Sequence, residues 1–179
     1  MRSCRFLIPV LLTTFFVSAC DTATTPGAID STAVRIIEPC ELISRVEAEH
    51  LLGTRLLEGE TSEQERVGLK LCVYHAAGDS LGPSFQITIT QSASMARETL
   101  ASGTTPASIF QSIKYNFEDE LLPQEIGDDA FIAPPGLHLL IRGYYITIAV
   151  GNTSSQQNRE ILQQAGLMAV DKVGKMMRQ

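Results

Sequence analysis

A short apolar run near the N-terminus decides how much of this chain is left to fold. Arg2 and Arg5 come first, and a mostly apolar stretch then runs from Phe6 to Ala19. This stretch is too short for a membrane-spanning helix, which needs about twenty residues. A basic N-terminus, an apolar run and small residues at the end of that run are typical of a cleaved export signal. We therefore expect residues 1–19 to be removed, and roughly 145 of the 179 residues to fold as one domain.

The end of this run carries a short motif. Val17-Ser18-Ala19-Cys20 resembles the lipobox of bacterial lipoproteins, in which the signal is removed before a cysteine that carries diacylglycerol. The resemblance implies that lipid on Cys20, palmitate among its acyl chains, anchors the protein to a membrane of the cell envelope, with its domain outside the cytoplasm. Asp21 implies the inner membrane, if the sorting rule of enteric Gram-negative lipoproteins applies. The alternative is an ordinary secretory signal cleaved near Ala19, with Cys20 a spectator.

The composition after the cysteine separates a tether from a domain. Residues 21–35 are rich in Thr, Ala, Ser, Pro and Gly and show no apolar period, which is typical of a flexible linker. We assign residues 20–37 to the lipidated cysteine and its tether, and residues 38–179 to a single domain. Hydrophobic residues make up 44% of the chain and charged residues 19%, which excludes a disordered chain and a polytopic membrane protein.

The charge of the chain excludes some partners. The formal net charge is −6, and it becomes −8 when Arg2 and Arg5 leave with the signal. Binding to nucleic acid, or to anionic lipid by charge, requires a basic surface. We therefore expect no nucleic-acid partner, and we expect membrane contact through the lipid on Cys20 alone.

Two of the four cysteines remain for the folded domain. Cys4 lies in the signal and Cys20 carries the lipid, which leaves Cys40 and Cys72. An even pair in an exported protein indicates a disulfide, and the alternative is a pair of buried thiols. The chain has no C-x-x-C motif and no histidines at ligand spacing, so we predict no metal site and no cofactor.

Local patterns predict helices and hairpins in the domain. Ser44 and Glu47 have the spacing of a helix capping box, with Gly53 at the helix end. Alternating apolar residues predict a hairpin over 69–74 and 85–90. We further predict a strand over 54–60, a polar loop over 61–66 and helices beginning near Ser92 and at Pro106. Residues 127–131 lead into a strand, further strands cover 137–141 and 144–150, and a last helix ends near Met177. Strands that come in hairpins indicate an α+β fold, with an antiparallel sheet of about five to six strands and helices packed on one face.

One tetrad suggests an enzyme. Gly78-Asp79-Ser80-Leu81 matches the motif that names the GDSL hydrolases, in which the serine is the nucleophile and a D-x-x-H motif supplies the base. No aspartate stands three residues before any histidine of this chain. The tetrad also joins the two strands of the predicted hairpin, where Gly, Asp and Ser are common turn residues. We interpret it as a turn and keep a serine hydrolase using Ser80 as the alternative.

The remaining polar candidates have structural interpretations. His50, His75 and His138 are interpreted as half-exposed structural residues, because their spacing does not suit a metal. The acidic runs Glu118-Asp119-Glu120 and Asp128-Asp129 lack the ligand pattern of a calcium loop and are interpreted as solvated. Alternation places the adjacent Tyr144 and Tyr145 on opposite faces of a strand, one in the core and one facing solvent.

Several short features occur together in a fixed order. They are Pro39-Cys40-Glu41-Leu42-Ile43, Glu47-Ala48, Leu52-Gly53, Cys72-Val73-Tyr74 and Ile126-Gly127-Asp128-Asp129-Ala130. This layout resembles an uncharacterised family of secreted lipoproteins best represented in actinobacteria, over about residues 39 to 175. The resemblance implies a disulfide between Cys40 and Cys72 and no known activity. The α+β layout is also similar to the PsbP-like class of binding domains.

The resulting functional expectation is a binding module. The sequence predicts a lipid-anchored binding or accessory domain, not an enzyme, whose partner is an envelope protein or a small apolar ligand. The two alternatives are an envelope hydrolase using Ser80 or an unrecognised site, and a purely structural tethered module.

Overall fold

Apolar and β-branched residues in the middle of the chain build an antiparallel sheet. The computed structural model describes residues 35–78, 84–117 and 126–178. In these ranges the strands are β1 (Glu60–Gln64), β2 (Leu69–His75), β3 (Ser84–Thr90), β4 (Asp129–Ala133), β5 (Gly136–Ile141) and β6 (Tyr144–Ala149). The helices are α1 (Pro39–Leu42), α2 (Arg45–Leu52), α3 (Arg97–Ala101), α4 (Pro106–Lys114) and α5 (Gln156–Met176).

The sheet has the strand order β1-β2-β3-β6-β5-β4, and every neighbouring pair is antiparallel. Its centre pairs β3 with β6, with Ile87 opposite Ile148. The predicted α+β class and antiparallel sheet are therefore confirmed. The predicted hairpin of β2 and β3 is also confirmed, since Cys72 lies opposite Ile87.

The first face of the sheet carries the main hydrophobic core. Helices α1, α2 and α5 pack on this face, and α5 contributes the buried residues Leu162, Ala165, Ala169 and Val173, as its apolar spacing predicts. Gly166 lets α5 lie close to the sheet, because a Cβ atom there would come within 2.5 Å of Cδ2 of Leu137. The capping box of α2 is confirmed, with the Ser44 amide donating to the Glu47 carboxylate over 2.8 Å.

Helix α4 partly covers the second face of the sheet. The sequence predicted a helix beginning at Pro106 but not its position on this face. Phe110 of α4 is fully buried and packs against Phe131 of β4 and Tyr145 of β6. The expectation of helices on one face alone was therefore wrong in this respect. The difference arises from Phe131, because its large apolar ring lies on this face and is buried by packing against Phe110 of α4.

The edge strand β1 differs most from the sequence prediction. We expected a strand over 54–60 and a polar loop over 61–66, but the strand is Glu60–Gln64 and all its residues are exposed. Within 54–59 only Leu56 forms an isolated bridge, to Ala76. A strand with no buried face has no apolar alternation, so its backbone pairing with β2 leaves no mark in the hydrophobic pattern.

The chain enters the domain along a strip held by hydrogen bonds. The side-chain amide of Gln91, which is 0% exposed, donates to the Ile37 carbonyl over 2.9 Å and accepts from the Ile37 amide over 2.9 Å. The Tyr144 hydroxyl donates to the Arg35 carbonyl over 2.9 Å. The start of the domain is therefore locked to the end of β3 and the start of β6.

Candidate functional site

The predicted disulfide between Cys40 and Cys72 is confirmed, and their Cα atoms lie 5.5 Å apart. It joins α1 to β2 beside Tyr74, whose hydroxyl donates to the Ile43 carbonyl over 2.9 Å. Gly59 closes the other side, because a Cβ atom there would lie 3.0 Å and 3.1 Å from the two sulfur atoms. These contacts make the disulfide a closely packed part of the core.

A buried histidine lies on the second face of the sheet, under α4. The His138 ring is parallel to the Phe131 ring, with centroids 4.5 Å apart and an interplanar angle of 2°. Nδ1 of His138 lies 2.7 Å from the Tyr145 hydroxyl oxygen, a hydrogen bond whose direction depends on the histidine tautomer. Nε2 is buried, and no residue of the described ranges forms a hydrogen bond with it. One ring nitrogen is thus oriented by Tyr145, and the other is enclosed without a partner.

Burial sets the ionisation of this pair. It lowers the pKa of His138, because the imidazolium loses its hydration, and the Pro134 and Ala133 backbone only partly opposes this shift. Burial also raises the pKa of Tyr145, because it disfavours the phenolate. Both side chains are therefore neutral at pH 7 and joined by a neutral hydrogen bond.

Two sequence interpretations need correction here. His50 and His75 are at least partly exposed, as expected, but His138 is only 3% exposed, because α4 covers the face on which it lies. Tyr144 and Tyr145 do lie on opposite faces, in the two separate core clusters. However, both are buried, so the expectation that one faces solvent was wrong.

Of the two acidic runs considered as cation sites, only Asp128-Asp129 lies in the described residues. Asp129 forms an ion pair with Lys114 of α4, with 2.7 Å between Nζ and Oδ1, and this pair lies at the rim of the second-face cluster. The Asp128 carboxylate accepts a hydrogen bond from the Arg142 amide. Glu118-Asp119-Glu120 lies outside the described residues. Across residues 35–78, 84–117 and 126–178, no three His, Cys, Asp or Glu side chains converge as metal ligands would.

We expect the stability of the domain to fall as the pH drops from 7 to 5.5, because unfolding lets His138 take up a proton. Its pKa is about 6.5 when unfolded and lower when folded, so the unfolded state binds more protons in this window. One such proton gives a slope of at most about 1.4 kcal/mol per pH unit. Urea unfolding at several pH values measures this slope.

The matched variants for this experiment differ at one histidine each. His138→Phe with Tyr145→Phe keeps the ring stack and leaves no unpaired hydroxyl, so it should flatten the slope. His75→Gln removes an exposed histidine and should leave the slope unchanged. An unchanged slope in the double variant would show that protonation of His138 does not cause the loss of stability at low pH.

A groove lies at the opposite edge of the sheet, between β1, β2 and the turn Ser92–Ser94. Its volume is about 340 Å³, and its lining includes the apolar side chains Ile36, Leu69 and Met95. Ile36 is 50% exposed. Ser94 also lines the groove, and its hydroxyl oxygen is buried with no hydrogen-bond partner in the part of the chain that the structure describes. The groove therefore offers apolar surface, whereas the Ser94 oxygen is enclosed behind it.

An ionic network borders this groove. Nζ of Lys70 lies 2.6 Å from the Glu38 carboxylate and 3.5 Å from that of Glu63. The hydrogen bond to Glu38 raises the pKa of Lys70, because it favours the ammonium form. A second groove of about 340 Å³ lies beside the same residues and includes Thr61, Ser62 and Leu71. Lys70 is thus already neutralised by its neighbours.

The other predicted site residues lie elsewhere. Cys20, Asp21 and Ser80 fall outside the described residues. The Gly78–Leu81 motif that contains Ser80 joins β2 to β3, and these two strands pair antiparallel, as expected if the motif forms a turn. No described helix has the length and apolarity that crossing a bilayer requires. Sequence reasoning missed Gln91 and the groove, and a lone glutamine directly after a strand gave no signal for either.

Comparisons with known proteins add no function. The chain matches no protein-family model, and no curated protein or solved structure was found to be significantly similar to it. The resemblance to the actinobacterial lipoprotein family stays a prediction.

Proposed function

We propose that this chain is a lipid-anchored protein of the bacterial cell envelope, attached through Cys20, whose domain binds a partner protein as an accessory module. The export signal, the lipobox and the tether composition support the anchor. The disulfide between Cys40 and Cys72 is in keeping with an oxidising compartment outside the cytoplasm.

The exposed edge strand β1 carries the binding part of this proposal. All five of its residues are exposed, and a groove with apolar lining lies beside it. An open strand edge offers backbone donors and acceptors to a second chain. The exposed edge therefore supports an interaction surface for this domain.

The anchor is tested with the full-length chain expressed in a bacterial host. Wild-type protein should be recovered with the membranes and released by detergent, and mass spectrometry should find a lipidated N-terminal Cys20. Cys20→Ser should leave the membrane fraction almost completely, because no acyl chain remains to bind the bilayer.

Cys4→Ser is the matched control, since Cys4 lies in the segment removed with the signal and this variant should stay membrane-bound. Membrane association of Cys20→Ser equal to that of wild type would contradict the anchor. A fluorophosphonate probe tests the hydrolase alternative, and labelling that disappears in Ser80→Ala would overturn the accessory role.

A further inference from the structure

We propose that β1 accepts an extended, cationic segment of the partner protein as a seventh strand of the sheet. The inference rests on the proposed binding function and names the chemistry of the partner. The segment lies antiparallel or parallel along Glu60–Gln64. It alternates Lys or Arg on the face of Glu60 with aliphatic side chains on the opposite face, where Glu63 already pairs with Lys70.

The backbone of β1 leaves one side open. Its residues pair with β2 from Glu60 opposite Val73 to Gln64 opposite Leu69. Among the described residues, no turn, loop or cap forms a further backbone hydrogen bond with Glu60–Gln64. In an edge strand alternate amides and carbonyls point away from the neighbouring strand. These groups supply the hydrogen bonds that a seventh strand needs.

The charges along this edge select a cationic partner. Glu60 and Glu63 lie on β1, and Glu65 follows in the next turn, all exposed. Lys70 on the neighbouring strand β2 is the nearest cation, and it already forms ion pairs with Glu38 and Glu63. Arg66 lies in the same turn as Glu65 and lines a different groove, with α3. The open edge therefore keeps an excess of negative charge that a basic strand can neutralise.

The same charges argue against a second copy of this chain as the occupant. Pairing of two β1 strands would gather four glutamates, Glu60 and Glu63 of each copy, along one shared edge, and would set them directly opposite each other in the register that pairs Glu60 with Glu63. Like charges directly opposite each other in a sheet are destabilising. Charged edge residues protect natural sheets from self-association, and here the single sign leaves a cationic strand as the favoured partner.

The groove beside β1 explains the aliphatic part of the segment. Ile36, Leu69 and Met95 form apolar lining within reach of the strand edge, and Glu63 and Lys70 line both the groove and the edge. A side chain of the added strand that points to this face removes apolar surface from water.

The test uses the full-length lipidated protein in detergent and a fluorescent ten-residue peptide that alternates Lys and Val. Fluorescence polarisation should show saturable binding that weakens with salt. A peptide of the same composition in blocks, and one N-methylated at alternate amides, should each bind at least tenfold more weakly. The block peptide cannot place its Lys side chains on one face and its Val side chains on the other, and the N-methylated peptide cannot complete the strand ladder. Equal binding of either peptide would reduce the interaction to charge alone and overturn the proposal.

Charge reversal tests the surface itself. Glu60→Lys with Glu63→Lys should weaken binding of the Lys–Val peptide at least tenfold and give binding to a Glu–Val peptide. Glu98→Lys with Glu160→Lys makes the same change in net charge on exposed residues of α3 and α5, and it should leave both affinities unchanged. A variant lacking residues 21–34 should bind as wild type does. Tighter binding by that variant would assign the edge to the tether and overturn the proposal.

A photo-crosslinking residue separates this inference from the proposed function. Placed at Ser62 on β1, it should capture in cells an envelope protein through a segment with several Lys or Arg, mapped by mass spectrometry. Placed at Leu167, on the exposed side of α5, it should capture none. Capture from Leu167 alone would leave a binding domain but overturn the assignment to β1, whereas no capture from either position would count against both.

Discussion

Loss of the disulfide between Cys40 and Cys72 is expected to lower the free energy of unfolding by about 3–4 kcal/mol. The bond closes a loop with a sequence separation of 32, and closing a loop of this length restricts the unfolded chain by about that amount. Removal also opens space in the core, since both sulfur atoms pack against Gly59. For a domain whose total stability is about 5–15 kcal/mol, this is a large fraction.

Urea unfolding of the double variant Cys40→Ala with Cys72→Ala, beside wild type with and without reductant, measures this effect. Reduced wild type should lose the loop constraint but keep the sulfur volume, so it should fall between the other two. Cys4→Ser again serves as the control, because Cys4 lies in the segment that the proposed cleavage removes. A loss below about 1 kcal/mol in both the double variant and the reduced protein would contradict the expected contribution.

Replacement of Gln91 is expected to cost about 2–4 kcal/mol. Its amide satisfies both the N–H and the carbonyl of Ile37, over 2.9 Å each, at a fully buried position. Gln91→Leu keeps the approximate volume but leaves two buried backbone groups unpaired, and each unpaired group costs about 1–3 kcal/mol. The entry strip at Arg35–Glu38 should then loosen before the rest of the domain.

Two measurements distinguish this loosening from general damage. Chemical denaturation gives the total loss, and hydrogen exchange should show the Ile37 amide exchanging faster while amides of the central strands stay protected. Gln164→Leu makes the same chemical change at an exposed position of α5 and should alter stability by less than about 0.5 kcal/mol. Unchanged protection of Ile37 in Gln91→Leu would contradict this role.

The parts of the fold that the sequence predicted are those with local signals. The capping box at Ser44 and Glu47 and the Thr105-Pro106 start involve neighbours in sequence, and both occur where expected. The last helix and its buried face follow from apolar spacing within one element. The disulfide was predicted because the export signal and the cysteine count left Cys40 and Cys72 as the remaining pair, and its contacts were not needed for that.

The parts that the sequence did not predict depend on distant partners. Gln91 bonds a residue 54 positions away, and nothing near it in the sequence marks that partner. His138 is buried on the face that α4 covers, stacked on Phe131, so its burial could not be predicted from its own strand. Strand β1 is held by its backbone pairing, which leaves no apolar pattern. The sequence therefore contained no sign of the candidate surface at the sheet edge, although it did predict the disulfide.

The position of the disulfide also determines how a mechanical load would enter the domain. A pull on the chain before Arg35 reaches Cys40 directly after the entry strip, and from there it passes through a covalent bond into Cys72 of β2. Every residue between the two cysteines, β1 included, lies in the loop that this bond closes. A load that enters before Arg35 and leaves the chain after Cys72 therefore bypasses β1, whereas Ile36, on the entry strip, is exposed to it.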